Sequence, residues 1–168
     1  MPESPPDRHT PGTLKDEIRQ TRPFRSREQE ALLSLLRSAD LAKNRFAGLF
    51  ESEGVTFQQY NVLRILRGAM PQGLPTLEIG ERMIERTPGV TRIVDRLEAK
   101  GLVERERCVE DRRRVWCRIS QAGQDLLARL DGPVDSTDVA IFEGMEPAEL
   151  GALILTLERL RRRLSSLE

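Results

Sequence analysis

Hydrophobic periodicity changes abruptly at Gly101. Upstream, Val90, Val94 and Leu97 recur at helical spacing with Ile93 beside them, which leaves Thr91, Arg92, Asp95 and Arg96 on the opposite side. Downstream, apolar and charged residues alternate from Leu102 to Cys108 and again from Arg114 to Ile119, the pattern of a two-stranded hairpin. The turn between them is acidic and then basic, and ends in three consecutive arginines, Arg112, Arg113 and Arg114. The helix has its own punctuation. Thr87 is suited to the N-cap, Pro88 to the first helical position, where its missing N–H costs nothing, and Gly101 to the C-terminal stop.

A second helix fits just upstream, with Thr76 as its N-cap and Leu77, Ile79, Gly80, Met83 and Ile84 as its apolar side. Gly80 would let the two helices approach closely. Only about three residues, Glu85 to Thr87, would separate them, which forces a steep crossing of the helix-turn-helix kind. The expected fold class is mainly α with a small β-hairpin, a winged helix-turn-helix joined to a helical dimerisation region. Such a unit suits double-stranded DNA. Thr and Arg at the start of an exposed helix reach base edges in the major groove, and an Arg on a thin hairpin enters the adjacent minor groove. The candidate DNA contacts are therefore Thr87, Gly89, Thr91, Arg92 and Arg96 on the helix, with Arg112, Arg113 and Arg114 on the wing.

Net charge at first argues the other way, because 27 basic residues balance 27 acidic ones. Distribution answers this. From Arg86 to Arg118 there are ten basic residues against six acidic, a local surplus of four, so the rest of the chain is net acidic. Screening limits electrostatic reach to about 8–10 Å at physiological salt, so the local balance matters more than the total. Catalysis finds no constellation: no Ser-His-Asp set, no Gly-rich phosphate loop, no paired carboxylates in an apolar setting. Metal binding has little to work with, since the single histidine is His9 and neither cysteine has a partner at ligand spacing. No cofactor is expected. No apolar run approaches the roughly 20 residues of a membrane span, and the N-terminus lacks a signal-peptide core, so the expected location is cytoplasmic.

Four regions follow in order. Residues 1–25 hold five of the ten prolines and form a flexible arm, within which Leu14 to Gln20 could make a short helix. Residues 26–55 form an N-terminal dimerisation helix opened by a Ser26/Gln29 capping box; residues 56–120 hold the DNA-binding unit, opened by a Thr56/Gln59 box. Gly68 to Pro75 is a loop leading into the helix pair. Residues 121–168 supply two further helices: one capped by Ser120 and interrupted or kinked at Gly132-Pro133, the other starting at Glu146-Pro147. In the last helix Leu150, Leu153, Leu157, Leu160, Leu164 and Leu167 recur at alternating steps of three and four, a narrow seam suited to a helix-helix interface. It predicts a homodimer in which the first long helix and the last pack across a two-fold axis. Two reading heads so related would read a pseudo-palindromic operator, whereas one helix reads too few base pairs.

The order helix, helix, helix-turn-helix, wing, helix, helix resembles the MarR family of bacterial transcription regulators over roughly residues 26–168. The segment Val90-Thr91-Arg92-Ile93-Val94-Asp95-Arg96-Leu97-Glu98-Ala99-Lys100-Gly101-Leu102-Val103 is similar to the family's recognition helix and its passage into the wing, and Asp111-Arg112-Arg113 to its Asp-x-Arg wing tip. The resemblance implies a homodimeric repressor of nearby genes, relieved by a small aromatic or lipophilic ligand. It makes Arg113 the minor-groove arginine and Asp111 the residue that orients the wing, with Arg112 and Arg114 at phosphates or in solvent. Ligand pockets in similar proteins lie where dimer helices meet the DNA-binding lobe, so Phe46, Phe57 and Tyr60 are candidate lining residues, against the plain alternative that they are core. Two other readings use the same fold: a winged-helix adaptor that binds protein, and a thiol-based redox sensor. For the second, a turn at Glu110-Asp111 would set Cys117 opposite about Glu104 and Cys108 opposite about Arg113. The sulfurs are then about 13 Å apart by strand rise, too far for a disulfide.

Overall fold

A computed structural model describes residues 12–86, 88–107 and 115–167. They form two compact units, one up to Asn44 and one from Arg45. The elements in order are α1 (Leu14–Glu17), α2 (Arg27–Ser52), α3 (Phe57–Gly68), β1 (Leu74–Pro75), α4 (Thr76–Arg82), α5 (Val90–Ala99), β2 (Val103–Arg107), β3 (Val115–Ile119), α6 (Gln121–Ile141) and α7 (Pro147–Ser165). No helix among the described residues is long and apolar enough to cross a membrane. The mainly helical class with a small antiparallel sheet is as the sequence predicts.

Local capping sets most helix starts. In the first unit, α1 is the short helix anticipated inside the arm, opened by a Thr13/Asp16 capping box. Ser26 Oγ accepts from Gln29 N at 3.2 Å, but the Gln29 side chain reaches back to Arg25 N rather than to Ser26 N. In the second unit the Thr56/Gln59 box is complete in both directions. Ser120 Oγ accepts from Gly123 N at 3.1 Å, and α7 opens at Glu146-Pro147 as expected, with the Glu149 carboxylate accepting from Glu146 N at 2.9 Å. Pro133 does not interrupt α6, which runs unbroken past it. Proline forfeits one backbone hydrogen bond there, and buried Leu130 and Val134 on either side hold the helix through the gap.

The sheet has three strands, not two, in the order β1-β3-β2. The stretch read as a plain loop supplies β1, whose Leu74 and Pro75 pair with Cys117 and Trp116. In the hairpin Val103 pairs with Ile119, Arg105 with Cys117 and Arg107 with Val115. Cys117 is therefore opposite Arg105, one step from the expected Glu104. It is fully buried, and Cys108 lies outside the described residues. The core gathers Phe50, Leu63, Leu66, Ile79, Val94, Leu97, Leu127 and Leu130 from α2, α3, α4, α5 and α6.

A forked ion pair joins α3 to α6, with Arg67 Nη1 and Nη2 donating to the two Asp131 carboxylate oxygens at 2.8 and 2.9 Å. Hydrogen bonding from Arg67 holds the Asp131 carboxyl below its ordinary value of 3.8. A depressed carboxyl stabilises the fold above its unfolded value, and that stability is lost as pH falls through the folded value. Asp131→Asn should therefore be less stable than the parent near neutrality, with the two stability curves converging below about pH 4. Side chains 35% and 44% exposed are screened by water, so the neutral-pH gap should stay under about 1 kcal/mol. Urea titrations at pH 7 and pH 3 measure it, and parallel curves would remove the pair from the account.

Candidate nucleic-acid interface

The helix pair departs from its sequence reading in five respects, four of them in α4 and the joint that follows it. Thr76 is the first helical residue and Pro75 the cap; the Thr76 hydroxyl faces Cys117 Sγ at 3.6 Å. Helix α4 stops at Arg82 and α5 starts at Val90, so seven residues join them instead of three. Leu77 and Ile84, assigned to the apolar side, are 77% and 71% exposed, while Ile79 and Met83 alone of that set are buried. Gly80 does face Val90, yet a Cβ there would sit 3.4 Å from Val90 Cγ2, an ordinary contact.

The longer joint is fastened from α3. Met83 leaves the helix with ψ of 140° and drops into the core. The next backbone N–H, on Ile84, donates to buried Asn61 Oδ1 at 2.9 Å, and Gln58 donates to the Glu85 carboxylate at 3.0 Å. The chain then enters α5 through Gly89, not Thr87 and Pro88. Gly89 is the N-cap with φ of 110°, a left-handed conformation that a side chain would strain, and its carbonyl accepts from Arg92 N at 2.9 Å. At the far end Gly101, with φ of 70°, follows the cap as expected, and Leu102 N donates to Leu97 O at 2.9 Å.

Helix α5 thus has a fixed bearing. Val94 and Leu97 are fully buried, and Thr91, Arg92 and Arg96 are exposed together with Gly89. Between α4 and the start of α5 lies an open cleft of about 730 Å³, walled by Thr76, Leu77, Gly80, Pro88, Val90 and Thr91 among others. Neither Arg92 nor Arg96 has an ion-pair partner among the described residues.

Three members of the basic surplus behave differently, because their side chains are engaged within the chain. Lys100 Nζ donates to the Gly54 carbonyl and lies 3.4 Å from Gln59 Oε1. Arg118 pairs with Glu106 and donates from Nε to Gln72 O at 3.1 Å. Arg105 is the third. It shares the face of β2 with buried Val103, and its guanidinium turns onto α5, reaching Asp95 Oδ1 at 2.5 Å, Thr91 O at 3.3 Å and Glu98 Oε2 at 3.5 Å. The sequence reading missed this residue. Its signal was available: in a strand of period two, Arg105 occupies an inward position that calls for an apolar side chain.

The remaining candidates are placed unevenly. Thr87, Asp111, Arg112, Arg113 and Arg114 lie outside the described residues. Phe46, Phe57 and Tyr60 surround buried Phe50, with ring centroids 5.8, 6.0 and 4.5 Å from it. Tyr60 is itself buried, and burial pushes its phenol above the usual range. Along α7, Leu150, Leu153 and Leu157 are half-buried and Leu160 and Leu164 exposed; the helix contributes no buried residue.

Residues 55–115 match the model of the MarR family. A MarR transcription factor from Planctomyces limnophilus is 36% identical, with 87% of this chain and 100% of that one aligned at a TM-score of 0.62. The S. aureus MepR–DNA complex aligns over 79% of this chain and 96% of its own at TM-score 0.70 and 23% identity. Bordetella bronchiseptica BpsR, solved for the mechanism by which 6-hydroxynicotinic acid regulates its DNA binding, aligns over 76% and 95% at TM-score 0.66 and 22% identity.

Proposed function

Because the chain belongs to the MarR family of transcription regulators, we propose that it is a repressor that binds a pseudo-palindromic DNA operator as a homodimer. The observation that carries the DNA reading is the composition of the exposed side of α5. Thr91, Arg92 and Arg96 face solvent, while both acids of the helix lie against Arg105. A short helix presenting a hydroxyl and two guanidinium groups that no described acid pairs with matches the donors and acceptors of the major groove. Support for the dimer comes from α7, none of whose leucines is buried among the described residues. A dyad would set the two copies of α5 about one turn of DNA apart, roughly 34–36 Å. The modulator fits the same family picture as a small aromatic or lipophilic molecule, as 6-hydroxynicotinic acid illustrates for BpsR.

The test is binding to a duplex that the protein itself selects from a random-sequence pool, followed by fluorescence anisotropy across a salt series. Affinity should fall steeply with salt, because phosphate contacts release counterions. Arg92→Ala should cost about 10- to 100-fold and relax base preference at its own position. Arg113→Ala, which the family resemblance puts at the wing tip, should cost a similar factor without changing the oligomeric state. Salt-independent retention, or no selection of duplex at all, would favour a protein-binding adaptor instead.

A further inference from the structure

We infer that Arg105 is a positioning residue for DNA binding, one that holds both carboxylates of the recognition helix away from the phosphates. The inference rests on the DNA reading and adds to it the means by which a formally neutral helix can enter a polyanion's groove. Helix α5 carries two cations, Arg92 and Arg96, and two anions, Asp95 and Glu98. Lys100, just beyond it, is turned back onto Gly54 and Gln59 and cannot tip the balance. Left free, the acids would cancel the arginines at the surface meant to meet DNA.

The geometry separates them. Thr91, Asp95 and Glu98 are spaced four and three residues apart, so they form one stripe along α5, and the Arg105 guanidinium touches all three. Arg92 and Arg96 are off that stripe. The Arg105 side chain is only 22% exposed, which distinguishes it from an ordinary solvated surface pair. Fold stability does not explain the arrangement either. Arg105 Nε is buried without a hydrogen bond, its approach to Glu98 being an ion pair only. A charge at such an inward strand position is commonly replaced by an apolar residue at no loss. A group that stabilises little yet neutralises two acids beside a DNA-facing helix is best understood through the DNA.

Arg105→Met is the test, since methionine keeps the apolar stem and removes the charge. Its thermal midpoint should match or exceed the parent's. Its affinity for the selected duplex at about 0.1 M salt should nevertheless fall about 10- to 100-fold, with a smaller deficit at about 0.5 M. Adding Asp95→Asn and Glu98→Gln should bring affinity back to within about threefold of the parent, because nothing is then left to mask. Arg105→Lys, which keeps charge but loses the planar fork, should stay within about threefold, and Arg105→Gln should not; this pair decides if the methionine variant does not fold. Unaltered affinity in Arg105→Met, or a triple variant as weak as the single one, would overturn the inference while leaving the DNA reading standing. A parent protein that binds no duplex would overturn both.

Discussion

Leu157→Asp combined with Leu160→Asp should turn the proposed dimer into monomers and weaken operator binding by about 1,000-fold, within the range that loss of a second linked site produces. The reason lies in α7. Nineteen residues long, it contributes no buried residue, and Ile154, Leu155, Leu160 and Leu164 are 49%, 60%, 37% and 53% exposed. Covering one such leucine contributes about 1.5–3 kcal/mol, and a two-fold interface uses each position twice. In the proposed dimer the two substitutions would therefore remove four apolar contacts and put four like charges near the axis, where each unpaired charge costs several kcal/mol. The subunit fold should survive, because these side chains do not belong to its core. Light scattering after gel filtration, with helix content checked by circular dichroism, gives the result. A stable dimer in that double variant would refute the seam; a monomer with undiminished operator affinity would refute the need for a dyad.

What the sequence disclosed and what it hid divide along sequence separation. The Thr56/Gln59 and Ser120 caps were legible because donor and acceptor lie within three residues of each other, and the start of α7 because Pro147 marks a first helical position. So was the buried line of α5, where Val94 and Leu97 follow one helical period. Strand β1 was not legible. Two residues carry no period, and their partners are some forty positions away in β3. The end of α4 was hidden for the same reason. Nothing near Met83 announces that Asn61, on another helix, will take the Ile84 N–H and draw the chain out of its helical path. Arg105 shows the cost of counting charges without assigning faces: it entered the basic surplus as one more cation, and the fold turns it inward onto two acids. The exposed arginines of α5 could be read because periodicity alone decides which side they occupy.

Gly123→Ala should lower the thermal midpoint by about 4–8 °C, although alanine is the better helix former. Residue 123 lies in the first turn of α6, at the point where three segments meet. Ser120 Oγ donates to Gly101 O at 2.6 Å and accepts from Gly123 N, while Ser120 N donates to Leu102 O at 3.1 Å. The segment that follows α5, the end of β3 and the start of α6 are thereby tied through one serine. A Cβ on residue 123 would come to 2.4 Å from Leu102 O and 2.7 Å from Ile119 Cγ1. Neither neighbour is free to yield, since the carbonyl is hydrogen-bonded and Ile119 is paired with Val103 across the hairpin. Alanine would gain roughly 0.5–1 kcal/mol of helix preference, and overpacking against backbone typically costs about 1–3 kcal/mol or more. The clash wins by about 2 kcal/mol, and for a chain of this size each kcal/mol shifts the midpoint by about 2–4 °C. Gly48, inside α2, is the matched control: a Cβ there meets nothing within 4 Å, so Gly48→Ala should raise the midpoint by a degree or more. Opposite signs from the same substitution would place the cost at the serine knot. If Gly123→Ala instead melts at or above the parent's temperature, α6 does not abut the hairpin as closely as this structure has it.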